Sequence, residues 1–354
     1  MIPLRSAAVA AAMFAALSAS ALAAPTTLRA SHQFPGGRGD VRDEMVQIIA
    51  RDAKAANVDL EIQVYPGASL FKPNEQWNAL VNGQLDISSF PLDYASGKVR
   101  AFGATLMPGL VRSHERAQRL NNSPFMKEIK AHIDKAGVVV LADAWLAGAI
   151  ASKKGCIRRP EDIKGLKVRS AGPTFASMWQ SAGASIVSIP SNEVYNALQT
   201  GVADATDTSS GSFVSFRIYE QVKCLTAPGD NALWFMYEPV LMSKKSFLRL
   251  DRKQQEVLLQ AGKKSQQFFA ENAKGLDDEM VKVFRDHKVE VITLTPAVRR
   301  VDQGGARELV CRVRQGSPQR QEADRRSAER QVAWTSSFAA CAASRSSAGS
   351  SPRR

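Results

Sequence analysis

Short apolar runs alternate along the chain with longer segments in which apolar residues recur every three or four positions. A short strand is predicted at residues 27–31, and the alternation of apolar and polar residues at 59–65 predicts a second. Residues 138–142 are continuously apolar, as expected for a buried parallel strand. The apolar spacing within residues 40–57 predicts an amphipathic helix. Strand and helix therefore alternate from the start of the chain.

The remainder of the chain repeats this alternation, which predicts an α/β fold with mainly parallel sheets flanked by helices. The 354 residues are enough for two such units. Gly275 is expected to interrupt the longest helix. Further strands are predicted at residues 85–90, 185–189, 202–206 and 289–294, and further helices at 74–82, 113–137 with a break at 123–124, 173–183, 192–201 and 251–287.

The segment 164–173 reads as a turn, a short strand and a loop. Side chains alternate along a strand, so Leu166 and Val168 face one way while Lys167 and Arg169 face the other. Arg169 then lies at the carboxyl end of a strand, where open α/β sheets place their ligand crevices. Its guanidinium fits a carboxylate bidentately. The alternative is a surface arginine in a weak ion pair.

Residues 74–86 and 192–204 share one pattern, N-E-x-aromatic-N-A-L-x-x-G-x-x-D. Each unit reads as a capped helix, a glycine stop and a strand ending at a carboxylate. The alternative is a coincidence of ordinary helix punctuation. A unit used twice predicts two similar lobes, and the cleft between two lobes is a favoured ligand site.

The net charge of +13 first suggests a nucleic-acid or membrane partner, but its distribution argues otherwise. From Val298 onward, twelve Arg against five acidic residues supply +7 of it. No nucleic-acid partner is therefore predicted. G-x-S-x-G, H-E-x-x-H and a Cys–His pair at suggestive spacing are absent from the sequence, so a binding protein without catalysis or cofactor is expected. A secreted α/β hydrolase-like enzyme and a soluble ligand sensor are the alternatives.

Residues 1–23 have the features of a secretory signal peptide, with Arg5, an apolar run over residues 7–17 and an A-x-A site at 21–23. A retained anchor is the alternative, but the run is too short to span a bilayer. We expect the mature chain to be exported and soluble.

Four cysteines remain, and none forms a C-x-x-C pair, so no metal site is predicted. In an oxidising compartment, Cys156 and Cys224 are disulfide candidates. The alternative is a pair of small buried hydrophobic residues.

With these features in place, the sequence from about Thr27 to Leu294 resembles the solute-binding subunits of tripartite ATP-independent periplasmic (TRAP) transporters, the DctP type. The resemblance rests on the signal peptide, the two N-A-L-x-x-G-x-x-D units, the strand ending at Arg169, and the E-P-V-L-M-S-K-K segment at 238–245. It implies a two-lobed periplasmic-binding-protein fold with a long helix behind both lobes. It also implies a periplasmic receptor that binds a small organic acid and delivers it to membrane permease subunits.

In that family the arginine matching Arg169 holds the ligand carboxylate. Many members carry a ligand-contacting asparagine where this chain has Thr208, beside Asp207, so the distal contacts of the ligand are expected to differ. The resemblance places lobe I at about 24–150, lobe II at about 151–240, and a helical and hinge region completing lobe I at 241–297. We expect a monomer.

Other candidates line the predicted strand ends. Phe90, Tyr94 and Trp234 are predicted to stack on the ligand or shield its carboxylate, with core packing as the alternative for each. His32 follows the first strand and is a candidate donor, or else a loop histidine. Glu238 is predicted to orient an amide or pair with a cation, or else to form a salt bridge in the hinge strand.

Residues 298–354 lack periodic apolar spacing and lysine, and Arg, Ser, Gln and Ala dominate them. Such a composition predicts disorder. We interpret this tail as the product of a reading-frame shift, and a genuine basic tail for anionic surfaces is the alternative.

Overall fold

The fold is described from a computed structural model, which covers residues 25–37, 39–170, 172–229 and 232–293. The predicted signal peptide and the tail 298–354 lie outside these residues. In the covered part, no helix combines the length and the apolar character that crossing a membrane requires.

The strands form two mixed sheets, one for each lobe. The two-lobed α/β fold predicted from the sequence is confirmed. The strands are β1 (Thr26–Ser31), β2 (Leu60–Tyr65), β3 (Ile87–Ser89), β4 (Val138–Ala142), β5 (Trp145–Ser152), β6 (Lys167–Arg169), β7 (Ser185–Val187), β8 (Ala205–Ser209), β9 (Cys224–Ala227), β10 (Phe235–Tyr237), β11 (Val240–Ser243) and β12 (Glu290–Thr293).

The first sheet has the order β2-β1-β3-β11-β4. β1 pairs in parallel with β2 and β3, whereas β11 runs antiparallel to both β3 and β4. The expectation that β4 is a parallel strand is therefore wrong. A continuous apolar run reports burial on both faces of a sheet and carries no information on strand direction.

The second sheet has the order β12-β9-β5-β8-β6-β7, and β10 pairs with β5. β6 lies parallel to β7 and β8, so the carboxyl ends of β6 and β8 meet at one edge. β5 runs antiparallel to β8, β9 and β10. The predicted segment 241–297 supplies strands to both sheets, because β11 joins the first and β12 the second.

Helices cover both sheets. Ser113, Ser123 and Asp251 cap the helices that follow them by accepting a backbone N–H, as Ser and Asp commonly do. The helices are α1 (Val41–Ala55), α2 (Pro73–Asn82), α3 (His114–Leu120), α4 (Pro124–Lys135), α5 (Pro173–Ser181), α6 (Val194–Gln199), α7 (Ser210–Ser215), α8 (Lys244–Arg249) and α9 (Arg252–Asp286), with 3-10 turns at Leu92–Ala95, Arg100–Leu106, Pro160–Ile163, Ser191–Glu193 and Ile218–Glu220.

α9 runs behind both lobes, as the resemblance implied. Leu258 and Phe269 pack in the core of the first lobe, and Met280 and Phe284 pack in the core of the second. The helix continues through Gly275, so the predicted interruption is wrong. The apolar stripe on either side of Gly275 supplies the packing that holds one glycine in a helical conformation.

Within residues 25–293, as far as they are described, the chain crosses between the sheets at three places: between β4 and β5, between β10 and β11, and along α9. The first two crossings lie side by side, since Glu238 N donates to Ala144 O at 2.9 Å. Asp143 joins them to a neighbouring helix, accepting hydrogen bonds from Tyr237 (2.5 Å) and from Lys130 (2.6 Å). These two crossings lie near the predicted lobe boundaries at 150 and 240.

The repeated sequence unit has the same structural role in both lobes. Asp86 Oδ2 accepts from the backbone N–H of Arg29, and Asp204 Oδ2 accepts from that of Lys167, at 2.7 and 3.0 Å. Each aspartate precedes its strand and fixes the neighbouring parallel strand. The expectation that these strands end at the carboxylate is wrong, because each begins directly after it.

Cys156 and Cys224 form a disulfide in the second lobe, with a Cα–Cα distance of 5.0 Å. It ties the start of β9 to the loop that follows β5.

Candidate functional site

Arg169 is the last residue of β6, and its side chain is completely buried between the lobes. Nε donates to Ile189 O at 2.9 Å, and Nη1 donates to Asp207 O at 2.7 Å. Nη2 donates to two hydroxyl oxygens, Tyr94 Oη and Ser191 Oγ, each at 3.2 Å. Within the described ranges, no carboxylate oxygen lies within 4.0 Å of this guanidinium. The surface ion pair considered from the sequence is therefore wrong.

A group of hydroxyls surrounds Nη2 of Arg169. Tyr94 comes from the first lobe, while Ser191 and Thr208 come from the second. Ser191 N donates to Tyr94 Oη at 3.0 Å, and Ser191 Oγ lies 3.4 Å from Thr208 Oγ1. The ring of Phe90 meets that of Tyr94 edge-on, with 6.0 Å between centroids. Hydroxyls can both donate and accept, which suits them to bind the oxygens of an acid beside a guanidinium.

Asp207 forms hydrogen bonds at the site through both its backbone and its side chain. Its carbonyl oxygen accepts the hydrogen bond from Arg169 Nη1. Its carboxylate Oδ2 accepts hydrogen bonds from Trp179 Nε1 at 2.6 Å and from Ser170 Oγ at 3.1 Å. The carboxylate thus fixes α5 and the end of β6 relative to β8.

Trp234 closes the same region from the side of β5. Its ring lies directly over Gly148, where an added Cβ would be 1.9 Å from a ring carbon, and it meets Phe175 at 4.8 Å between centroids. The indole is fully buried, and its Nε1 has no hydrogen-bond partner. Trp234 thus packs in the core, the alternative considered from the sequence, while its Nε1 remains without a hydrogen-bond partner.

His32 lies in the first lobe, after β1, and is also fully buried. Its Nε2 is 3.1 Å from Asp43 Oδ1, and its Nδ1 has no partner. Burial alone would raise the pKa of Asp43, but the hydrogen bonds from His32 and from Gly37 N hold it below its ordinary value. Next to it, both amide atoms of Gln33 are buried and unpartnered.

Glu238 is paired with a residue that the sequence did not single out. Arg42 is completely buried at the start of α1 and donates to both oxygens of Asp40, at 2.9 and 2.7 Å. Its Nη1 reaches Glu238 Oε2 at 3.0 Å and Ser212 Oγ at 2.8 Å. This network joins the first lobe, a crossing and the second lobe, and it corresponds to the ion-pair alternative for Glu238.

Burial and charge act in opposite directions within this network. Burial alone would raise the pKa of Asp40, but Arg42 and Ser215 hold it below its ordinary value. Burial raises the pKa of Glu238. Arg42 lowers this pKa but offsets the effect of burial only in part, and the negative charge of Asp40 raises the pKa further. Burial would lower the pKa of Arg42, yet the two carboxylates raise it, so this arginine is a charged structural group.

Asp93 is a second group that sequence reasoning missed. It is buried beside Tyr94, and neither of its carboxyl oxygens has a hydrogen-bond partner. Nothing in the sequence separates Arg42 or Asp93 from ordinary surface charges, because their burial comes from contacts between the lobes.

Two surface grooves lie along α9, with volumes of about 530 and 260 Å³. Both include Asp143, Lys263 and Gln266, and neither is lined by a residue that contacts Arg169. A possible metal grouping in the described part of the chain brings together Cys156, Cys224 and Glu290 within 4.8 Å, but both sulfurs are committed to the disulfide.

Residues 47–312 match the family model of DctP, described as bacterial extracellular solute-binding protein, family 7. The match spans three quarters of the chain. This chain belongs to the DctP family of TRAP solute-binding proteins.

Relatives support the assignment. A solute-binding protein of Albidiferax ferrireducens is 39% identical over 279 residues, which are 78% of this chain and 82% of the relative. The crystal structure of a TRAP solute-binding protein from Rhodoferax ferrireducens with bound malonate is 38% identical, with a TM-score of 0.77 over 79% of this chain and 90% of that one. A Bordetella pertussis receptor that binds pyroglutamic acid, DctP7, shares the fold at 22% identity, with a TM-score of 0.76 over 82% and 95% of the two chains.

DctP proteins are receptors and not enzymes, which agrees with the absence of catalytic motifs from this sequence. The family is extracellular, and a periplasmic location is typical of its TRAP members.

Proposed function

We propose that this chain is the periplasmic receptor of a TRAP transporter for a small organic acid, and that Arg169 holds the ligand carboxylate. The observation that carries the proposal is a fully buried guanidinium with no carboxylate within 4.0 Å in the described ranges. Buried charges in proteins are normally paired, and a ligand carboxylate supplies the missing charge.

The neighbours of Arg169 are suited to the rest of such a ligand. Tyr94 and Thr208 offer hydroxyls beside Nη2, and Phe90 buttresses the Tyr94 ring. Trp234 and His32 do not hydrogen-bond to Arg169, but each carries a buried nitrogen without a partner, and we propose that these nitrogens contact the ligand. We assign Asp207 and Glu238 positioning roles, because both carboxylates are engaged by protein donors.

Relatives with the same fold bind small acids, malonate in one and pyroglutamic acid in another. Both ligands carry a carboxylate on a compact body. A compact acid is also what a closed cleft with a fully buried arginine admits.

The test is calorimetric titration of acids selected by a thermal-shift screen, since a ligand that binds only the folded state raises the melting temperature. Arg169→Ala is expected to weaken binding by roughly 2–5 kcal/mol, the usual cost of removing one partner of a buried charge pair. Arg116→Ala, an exposed arginine on α3, is the matched control and is expected to bind like the wild type. Near wild-type affinity in Arg169→Ala would contradict the assignment.

Delivery to membrane permease subunits is part of the same proposal, and its support is family membership. Uptake of the identified acid by vesicles that contain the permease should require the receptor. We expect the receptor to be a monomer, which size-exclusion chromatography with light scattering measures directly.

A further inference from the structure

We propose that the lobes close with uptake of one proton by Asp93, so that the receptor binds its organic acid and a proton together. The inference rests on the proposed function, because an acid that drives closure has to bind first.

The surroundings of Asp93 leave its carboxyl group without a partner. The residue lies in the 3-10 turn Leu92–Ala95 of the first lobe and is 1% exposed. Neither oxygen has a hydrogen-bond partner, and the neighbouring Ser96 hydroxyl is also unpartnered. In the part of the chain that the structure describes, no Lys, Arg or His nitrogen lies within 4.0 Å of it.

The contact that buries Asp93 comes from the other lobe. Oδ2 is pressed against Gly172, at the start of α5, so closely that an added Cβ on Gly172 would lie 1.3 Å from this oxygen. The next residue, Tyr94, reaches Arg169 across the same cleft. The second lobe therefore covers Oδ2, while Oδ1 faces Gly103 of the first lobe, and we expect separation of the lobes to expose Oδ2 to water.

An isolated carboxylate in such a place is costly, and it is normally neutralised by a proton. Burial raises the pKa of Asp93 to about 8; the Ser96 hydroxyl, outside hydrogen-bond geometry, opposes the rise in part, and the charge of Asp207 adds to it. The adjoining elements supply no compensating cation: α5 carries no charged residue, Glu75 of α2 and Arg100 of the next 3-10 turn are exposed, and Arg169 is engaged by Tyr94, Ser191 and two carbonyls.

The direction of the effect follows from linkage. In the open form a solvated aspartate has a pKa of about 3.9, so between pH 4 and 8 the closed form holds one more proton. Between pH 5 and 8, where the ligand acid is largely ionised, affinity therefore falls as pH rises, and it levels off above pH 8. From pH 6 to pH 8 the expected loss of affinity is roughly 50-fold.

Calorimetry of the wild-type receptor tests this directly. Malonate and pyroglutamate are the first probes, followed by the best acid from the thermal-shift screen. At pH 7, titrations in two buffers of different ionisation enthalpy should show uptake of about 0.9 proton per ligand bound. Binding without proton uptake would overturn the inference alone, whereas no binding by any acid would overturn the proposed function and the inference with it.

Asp93→Asn isolates the group responsible, because the amide keeps the shape and cannot ionise. It should abolish most of the proton uptake, flatten the pH dependence, and bind more tightly than the wild type at pH 8. Asp134→Asn, an exposed aspartate paired with Lys244, is the control and should behave as the wild type.

Weaker binding by Asp93→Asn at every pH, or undiminished proton uptake, would overturn the proposal. The first result would show that the ionised carboxylate itself contacts the ligand. Circular dichroism establishes that the variant is folded, and the wild-type proton count stands independently of it.

Discussion

Tyr94 of the first lobe accepts a hydrogen bond from Arg169 of the second, with Nη2 and Oη 3.2 Å apart. The same hydroxyl accepts the backbone N–H of Ser191, so it is already oriented by the second lobe. The proposed ligand-binding residue thus also takes part in the contact between the lobes. Binding and closure are expected to be coupled through this pair.

Removal of the Tyr94 hydroxyl should weaken ligand binding without unfolding the protein. Tyr94→Phe keeps the ring against Phe90 but deletes one acceptor, a change worth about 0.5–1.5 kcal/mol, or roughly 2- to 12-fold in affinity. Titration calorimetry measures it. Tyr195→Phe, which loses only an exposed hydrogen bond to Glu220, should bind as the wild type does. If Tyr94→Phe bound the ligand as tightly as Tyr195→Phe, the assignment of Tyr94 to the ligand site would be wrong.

The Arg42 network should contribute strongly to stability. Arg42→Met leaves the carboxylates of Asp40 and Glu238 buried without their cation, and breaking a buried pair in this way costs about 3–5 kcal/mol. Urea denaturation gives the free energy of unfolding. The comparison variant is Arg51→Met, whose exposed pair with Glu44 is worth about 0–1 kcal/mol. A loss for Arg42→Met no larger than that of the control would refute the structural role.

Two glycines of α9 should respond to the same substitution in opposite directions. Gly262 lies against β4, and an added Cβ would be 2.2 Å from Leu141 O, so Gly262→Ala should destabilise by about 1–3 kcal/mol. Nothing lies within 4 Å of a Cβ on Gly275, so Gly275→Ala should stabilise the helix by about 0.5–1 kcal/mol. Thermal unfolding of the two variants separates these effects, and a shift of the same sign in both would contradict the packing described for α9.

The disulfide should stabilise the second lobe. Cys156 and Cys224 are 68 residues apart, and a cross-link over such a loop contributes about 2–4 kcal/mol. The double variant Cys156→Ser, Cys224→Ser should lose this amount in urea denaturation, and so should the wild type under reducing conditions. Reductant should leave the free energy of unfolding of the double variant unchanged. A further decrease in that variant would show that reductant acts on a bond other than the one between Cys156 and Cys224.

The helix starts predicted at 113 and 251 and the break predicted at 123–124 are confirmed, because a cap is set by its own side chain and the next three residues. The cap predicted at the start of each repeated unit is wrong, since α2 begins at Pro73, before Asn74, and α6 follows Glu193 without a side-chain cap. The strand-end position of Arg169 followed from alternation and from the stop at Gly172. By contrast, the direction of β4 depends on its pairing with β11, a hundred residues later, which no local pattern encodes.

The missed residues share one physical cause. Arg42 follows an N-cap at the start of α1, where an arginine is ordinarily exposed, and Asp93 lies in the short 3-10 turn Leu92–Ala95. The opposite lobe completes the burial of each, covering Arg42 through Ser209 and Ser212 and Asp93 through Gly172. Charged residues whose surroundings come from the other half of the fold leave no periodic signal in the sequence.

The continuity of α9 limits how the two halves can move. At 1.5 Å per residue, its 35 residues form a rod roughly 50 Å long, packed into the first lobe by Leu258 near one end and into the second by Phe284 near the other. A rod packed into both halves resists sliding, so we expect the halves to separate by pivoting about it. Such a pivot would give the molecule two distinct outlines, one empty and one loaded, which a docking partner could distinguish by shape.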